Sequence, residues 1–351
     1  MVKVAINGYG RIGRVVHRVI LQSFSNEMEV VAINAGSSTD LKGWGLLLKY
    51  DSNYGKLEGF DIDSREDEQN SEHPSDKLGV LIINGREIPV FSQKDPSVLP
   101  WGNLGVDVVI ESTGHFITTE KASAHLRAGA KRVVISAPAK DDTSTYVISI
   151  NDHEYHGEEV INNASCTTNC ITPVAKIMEE NFGIEKAMMT TIHAYTSDQE
   201  LQDGGHKDYR RARASAKNII PTTTGATQAA AKALPSLENK FDGLSIRVPV
   251  SVGSLSDFTF LLKRETNIEE VNEVLNRAAE NENMKKYLSV TNDPIVSSDI
   301  IGDSHSSIVD LSLTQVVGGN MVKVIAWYDN EWGYSNRLAE EVLMVGKSLS
   351  Q

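Results

Sequence analysis

The stretch from Val2 to Gly13 limits the fold more than any other part of the chain. Val2, Val4, Ala5 and Ile6 form a short apolar run ending at Asn7, and Gly8-Tyr9-Gly10-Arg11-Ile12-Gly13 follows without a break. Ile12, Val15, Val16, Val19 and Ile20 then recur at helical spacing. A buried strand, G-x-G-x-x-G and a helix in immediate succession make the dinucleotide-binding fingerprint. In it Gly8 makes the tight turn, Gly10 admits the pyrophosphate, and Gly13 lets helix and strand pack closely. The pyrophosphate lies on the helix N-terminus. A tight structural turn is the competing reading, and the flanking strand and helix weigh against it.

The chain goes on alternating. A second strand, Glu29 to Asn34, should end in an acid for the adenosine ribose. Instead it runs into Asn34-Ala35-Gly36-Ser37, and the first carboxylate is Asp40, placed to start the next helix before Leu41, Leu46, Leu47 and Leu48. Small residues and the Ser37 hydroxyl leave room for a 2′-phosphate, with Lys42 in reach; the loop could equally vary without affecting cofactor choice. Residues 61–77 are polar and mostly acidic, which predicts a surface loop. Strand-like pieces follow at Val80–Ile83 and Glu87–Phe91. A buried strand through Val106–Ile110 then enters Glu111-Ser112-Thr113-Gly114, followed by a helix over 120–128 and a strand ending at Ser136. This alternation predicts a Rossmann-type α/β unit with a doubly wound parallel sheet, whose ligands meet strand ends such as Thr113 and Ser136.

After Cys166 strands and helices come in runs. Strands are expected at 187–193, 243–250, 256–263, 307–310 and 321–328, and helices at 225–234 and 268–281. This is the pattern of an α+β domain with a mainly antiparallel sheet. The expected division is a dinucleotide-binding domain over 1–151 and a catalytic domain over 152–333, with a C-terminal helix, 334–351, packing back on the first.

Composition narrows the function. The net charge of −13 argues against a nucleic-acid partner and requires any anion site to be locally basic. No apolar run approaches the ~18 residues of a membrane span, and the N-terminus does not read as a signal peptide, so a cytoplasmic protein is expected. Cys166 and Cys170 are the only cysteines. They make neither a disulfide framework nor a complete zinc site, so no metal is expected.

Cys166 follows a strand-like run, Glu159-Val160-Ile161, and precedes an apolar helical pattern through Ile171, Val174 and Met178. A thiol at a helix start meets unpaired N–H groups and the positive end of the dipole, both of which favour thiolate. The competing reading is an inert, packed cysteine. His193, closing the strand Met188–His193, is the best-placed base. Between Ala194 and Pro221 lie Thr196, Lys207, Arg210, Arg211, Arg213 and Lys217, a cationic concentration in an acidic chain. Thr222-Thr223-Thr224-Gly225 stands before a helix, and Arg247 interrupts an apolar strand. Arginine and hydroxyls near a helix start suit phosphate oxygens.

INGYGRIGR, LLKYDS, ESTG, VVISAPAKD, ASCTTNC, TIHAYTSDQ, RRARASAKNIIPTTTGA, IRVPV and WYDNEWGYSNR together resemble phosphorylating glyceraldehyde-3-phosphate dehydrogenases over essentially the whole chain. The resemblance implies that Cys166 attacks the aldehyde of glyceraldehyde 3-phosphate with His193 as base, and that inorganic phosphate releases an acyl phosphate from a thioester. It places Thr196 and Arg247 on the substrate phosphate. Ser165, Thr167, Arg211, Thr224 and Gly225 go on the attacking phosphate. Arg11, Ile12, Ser136 and Asn330 contact the cofactor, with Tyr334 near the nicotinamide. Segment 194–218 resembles the family's S-shaped loop, which implies a homotetramer.

Two departures point toward NADP, alone or with NAD. NAD-specific members carry an aspartate where this chain has Ala35-Gly36-Ser37, and Leu-Pro where it has Gly204-Gly205. Two alternatives differ in their tests. An erythrose-4-phosphate dehydrogenase would not use phosphate as acceptor, and a non-catalytic cofactor-binding or adhesion protein would make no demand on Cys166.

Overall fold

In a computed structural model of the chain, residues 1–67 and 77–350 are described. They divide into two compact units. The first comprises Met1–Tyr146, Glu154–Asn163 and Ser335–Gln351, and the second Val147–His153 and Ala164–Tyr334.

The first unit opens with β1 (Val2–Asn7), α1 (Arg11–Ser23), β2 (Met28–Asn34) and α2 (Leu41–Lys49). A small hairpin, β3 (Tyr50–Asp51) and β4 (Gly55–Lys56), precedes β5 (Ile62–Glu66), β6 (Lys77–Ile83) and β7 (Arg86–Phe91). Then come β8 (Val108–Glu111), α3 (Thr119–Ala122), α4 (Ala124–Arg127), β9 (Arg132–Ile135), β10 (Ser144–Thr145) and β11 (Val160–Asn162). One sheet runs β10-β11-β9-β8-β1-β2-β7-β6-β5. Neighbours from β10 to β7 are parallel, while β6 and β5 join antiparallel. Val4, Ala5, Ile6, Val108, Val109 and Ile110 are fully buried, as strands covered on both faces must be.

Three expectations change here. Part of the predicted loop at 61–77 is strand: Ile62–Glu66 pairs with β6, its alternating side chains satisfying an exposed sheet edge, and residues 68–76 lie outside the described residues. The helix expected over 120–128 is two short helices, α3 and α4, meeting at Ser123. The division expected at 151 cuts through neither unit cleanly, because Val160–Asn162 pairs with β9 and extends the parallel sheet. From Ser335 onward the last helix, α8 (Trp332–Ser348), belongs with the first unit, where Lys347 pairs with Glu27 at 2.6 Å.

The second unit contains α5 (Cys166–Phe182), β12 (Ile184–Ala194), β13 (Ile220–Thr222), α6 (Ala226–Ala233), β14 (Phe241–Val248) and β15 (Ser254–Leu262). It continues with α7 (Ile268–Glu280), β16 (Leu288–Thr291), β17 (Ser307–Asp310), β18 (Gln315–Val317) and β19 (Met321–Tyr328). The sheet order is β13-β14-β12-β15-β19-β17-β16, with β18 beside β19. It is mainly antiparallel, but β12 and β14 are parallel, as are β16 and β17. β15 buries Ser254, Ser256, Phe258, Phe260 and Leu262 at alternate positions, the period of a half-buried strand. α5 packs Ile171, Val174, Ala175 and Met178 into the same core.

Candidate active site

Cys166 is the first residue of α5, and Ser165 is its N-cap. The Ser165 hydroxyl accepts from Thr168 N at 3.0 Å, satisfying one of the helix's free donors. Ala164, just before the cap, is buried with φ 52°, a left-handed conformation costing a non-glycine residue about 1–2 kcal/mol. Its carbonyl accepts from the Tyr334 hydroxyl at 3.2 Å, which helps hold the turn that delivers Cys166. Cys166 is half-buried, and Cys170, one turn on, is fully buried.

Parallel pairing of β12 with β14 sets His193 directly beside Arg247. His193 Nε2 stands 3.4 Å from Cys166 Sγ, and its Nδ1 is 2.6 Å from Ala194 O. A carbonyl can only accept, so Nδ1 carries the proton and the Nε2 lone pair faces the thiol. Burial, reinforced by Arg247, lowers the imidazole to about 3, so it is neutral and able to accept a proton. Burial also raises the Cys166 thiol, while Arg247 and the Thr167 hydroxyl and N–H oppose it. Desolvation thus works against the thiolate expected from the helix start. Moving the proton from Sγ to Nε2 instead makes two opposite charges 3.4 Å apart, whose attraction at an effective dielectric near 20 is about 5 kcal/mol. Thiol and imidazole therefore titrate as a pair.

Sequence reading assigned Tyr328 no role. Its hydroxyl lies between Thr167 Oγ1 (2.9 Å) and Thr191 Oγ1 (2.8 Å), and its ring meets His193 edge-on. Burial keeps that phenol protonated. The available signal was the tyrosine of the WYDNEWGYSNR stretch, closing a strand as His193 does.

Thr196 and Arg247 are together: Arg247 Nη1 donates to Thr196 Oγ1 at 3.0 Å. Thr224 Oγ1 accepts from Ala226 N at 3.2 Å, and Gly225 begins α6 with no side-chain cap. Thr168 Oγ1 donates to Ala226 O at 3.3 Å, bringing the Ser165–Thr168 and Thr224–Ala226 helix starts side by side. Arg211 Nε donates to Thr222 Oγ1 at 3.0 Å, and the same guanidinium pairs with Asp198 and bonds Thr223 O. Asn330 is tied to the strand that carries His193. Its Oδ1 accepts from Gly253 N and Ser254 Oγ, and Ser254 Oγ accepts from Ala194 N, the residue whose carbonyl orients His193.

Within the first unit the strand ends fit a dinucleotide. Gly8 has φ +93°, and a Cβ there would lie 2.7 Å from Ser112 C; one on Gly13 would lie 2.1 Å from Gly8 O. A Cβ on Gly10 would meet nothing within 4 Å. Gly10 is the N-cap of α1 and supplies no side-chain cap, an arrangement that suits a pyrophosphate at the helix N-terminus. Ile12 follows in the first turn of α1. Arg11 is held by Asp51 and lies over the Tyr54 ring. Asn34 Nδ2 donates to Asn7 Oδ1 at 2.6 Å, and Asn7 Nδ2 donates to Glu111. Glu111 also accepts from Thr113 N (2.8 Å), the Thr113 hydroxyl and His125 Nε2 (3.0 Å). Trp101 Nε1 can only donate, and it meets His125 Nδ1 at 3.0 Å, which leaves the His125 proton on Nε2 facing the carboxylate. Ser136 N bonds Glu111 O at 2.9 Å, so the buried Asn34 and Glu111 and the half-buried Thr113 and Ser136 share one hydrogen-bonded network. Ala35 is buried with its N–H on Phe91 O, while Ser37 is exposed. Asp40 caps α2, its carboxylate accepting from Gly43 N at 2.7 Å.

A family model described as the glyceraldehyde 3-phosphate dehydrogenase NAD binding domain matches residues 2–119, and one described as the C-terminal domain matches residues 165–330. Glyceraldehyde-3-phosphate dehydrogenase 2 of Streptomyces avermitilis is 48% identical over 350 residues, covering 99% of each chain. The chain belongs to the glyceraldehyde 3-phosphate dehydrogenase family. Members from Mycobacterium avium and Mycobacterium tuberculosis are also 48% identical, over 353 and 351 residues and 99% of each chain. As a family member it is an oxidoreductase with an NAD-binding domain. The two stretches singled out above for cofactor choice, Ala35-Gly36-Ser37 and Gly204-Gly205, have different surroundings. Gly36, at φ +78°, and Gly205 have open space, whereas a Cβ on Gly204 would lie 3.0 Å from Glu200 Oε2. Open space is therefore at Gly36 and Gly205, while at Gly204 the end of the Glu200 side chain would have to shift by a few tenths of an ångström. Among the described residues no helix is long and apolar enough to cross a membrane.

Proposed function

We propose that the chain oxidises D-glyceraldehyde 3-phosphate reversibly to 1,3-bisphosphoglycerate through a thioester on Cys166. One observation carries this: a neutral imidazole whose Nδ1 is fixed by Ala194 O aims its Nε2 at the Cys166 sulfur, 3.4 Å away. His193 takes the thiol proton as Sγ bonds to the aldehyde carbon, and the resulting oxyanion is held by donors at the start of α5 and protonated to a hemithioacetal. A bound nicotinamide ring supplies the acceptor for the carbon's hydride. His193 removes the hydroxyl proton as the thioester forms. Inorganic phosphate, oriented by Ser165, Thr167, Arg211, Thr224 and Gly225, then attacks the thioester carbon and the Cys166 thiolate leaves. Thr196 and Arg247 hold the substrate's own phosphate.

Gly8, Gly10, Arg11, Ile12, Gly13, Asn34, Ala35, Ser37, Thr113 and Ser136 in the first unit, with Asn330 and Tyr334 in the second, are the proposed cofactor residues. The first unit is accordingly the cofactor domain and the second the catalytic one. The open space at Gly36 and Gly205, and the lack of a carboxylate at the end of β2, support use of NADP with or without NAD. A cytoplasmic homotetramer, with residues 194–218 at a subunit contact, completes the reading, and sedimentation of the purified protein tests its assembly. The relatives' names and the retained Thr196 and Thr224-Gly225 do not favour an erythrose-4-phosphate dehydrogenase. Initial rates with each cofactor, with and without phosphate, test the whole. Phosphate-independent turnover refutes the acyl-phosphate product. A kcat/KM preference for NAD above about a hundredfold, ~2.7 kcal/mol, refutes the use of NADP.

A further inference from the structure

Gln199 bridges the two residues assigned to the substrate phosphate. It closes a turn by donating its N–H to Thr196 O at 3.0 Å. Its Oε1 accepts from Thr196 N and from Arg247 Nη1, both at 3.4 Å. Both neighbours are donors, so the oxygen must face them and Nε2 must face away. Gln199 is 8% exposed, yet Nε2 has no acceptor, and Arg247 Nε has none either. The nearby acceptors, Ala194 O, Thr196 Oγ1 and Gln199 Oε1, all serve the same Arg247 Nη1. The cluster thus holds more buried donors than acceptors. A buried donor without a partner is destabilising, and an oxyanion is the ligand chemistry that relieves such an excess.

We propose that Gln199 is a positioning and specificity residue for the aldehyde's phosphate group. Its Oε1 fixes the spacing of Thr196 and Arg247, and its Nε2 adds a neutral donor for the oxyanion. The proposal rests on the reading of Thr196 and Arg247 as the substrate-phosphate site. The amide matters because it clamps without charge: a glutamate would accept the same two bonds, neutralise Arg247 and repel a phosphate dianion.

The test compares D-glyceraldehyde 3-phosphate with unphosphorylated D-glyceraldehyde in the wild-type enzyme, Gln199→Met and Gln199→Glu. Expected losses in kcat/KM for the phosphorylated aldehyde are about tenfold for Gln199→Met and about a hundredfold for Gln199→Glu, carried mainly by KM, with glyceraldehyde unaffected within about twofold by Gln199→Met and losing at least about tenfold less than the phosphorylated aldehyde in Gln199→Glu. The Kd of glycerol 3-phosphate, measured calorimetrically, rises in the same order. Gln199→Glu is nearly isosteric and carries the test alone if the methionine variant does not fold. Equal losses for both aldehydes, or no loss for the phosphorylated one, overturn the role of Gln199 and leave the Thr196–Arg247 site standing. A wild-type enzyme with no preference for the phosphorylated aldehyde removes that site, and the proposal with it.

Discussion

Alanine at Gly10 and at Gly13 should have opposite consequences, although the two glycines share one turn. At Gly13 the new Cβ would lie 2.1 Å from Gly8 O and 3.1 Å from Ser112 Oγ, so backbone must move. Overpacking of that kind costs about 1–3 kcal/mol, and here it separates α1 from β1. At Gly10 the Cβ would meet nothing within 4 Å, and φ is −72°, accessible to any residue. The stability change should stay within about 0.5 kcal/mol. The space it fills, however, is where the pyrophosphate must approach the backbone, so cofactor Kd should rise at least about tenfold. Urea denaturation gives the first quantity and calorimetric titration with NAD and NADP the second. Gly10→Ala with wild-type cofactor affinity, or destabilised as much as Gly13→Ala, would refute the assignment of the two roles.

His193→Asn should lower kcat by about 10²–10⁴ through loss of the base, with cofactor Kd unchanged; equal kcat would show that His193 takes no proton. Burial lowers the His17 imidazole to about 3, against 6.5 when unfolded. The unfolded chain therefore binds more protons below 6.5, so the His17 contribution is full above that pH and lost as pH falls toward 3. Between pH 7 and pH 5 the loss is about 2 kcal/mol, and a flat urea midpoint over that range contradicts it. Tyr328→Phe leaves the Thr167 and Thr191 hydroxyls without their shared partner and should destabilise by about 1–3 kcal/mol; an unchanged urea midpoint would show that water replaces it.

The glycine turn, the parallel strands and five of the eight strands of the second unit were legible because each depends on local periodicity or on glycine, whereas Ile220–Thr222, Leu288–Thr291 and Gln315–Val317, each of three or four residues, were not. Phe241–Val248 and Ser254–Leu262, for instance, fall within two residues of their expected limits. Cys166 could be placed at a helix start from turn residues and an apolar repeat alone. Less legible was anything set by partners distant in sequence. Ile62–Glu66 is a strand because β6 pairs with it, against its own polarity. Burial of Cys166 against the core of the second unit, which opposes its ionisation, depends on residues distant in sequence, and Asn330 Oδ1 bonds Ser254, 76 positions away. The adjacency of His193 and Arg247 likewise needs a register that no window of either strand contains.

The parallel pairing of β12 with β14 also shapes what lies between them in the chain. Antiparallel neighbours can be joined by a tight hairpin, but parallel ones need a return of a dozen residues or more. Here the return is residues 195–240, and it carries the basic loop, β13, the Thr222–Thr224 hydroxyls and α6. The same choice of strand direction that places His193 beside Arg247 therefore creates the long excursion that carries Thr196, Arg211, Thr224 and Gly225, four of the proposed phosphate residues. Reversing β14 to make its pairing with β12 antiparallel would separate the pair and remove the reason for that excursion, so the proposed acid–base and phosphate functions both depend on one topological decision.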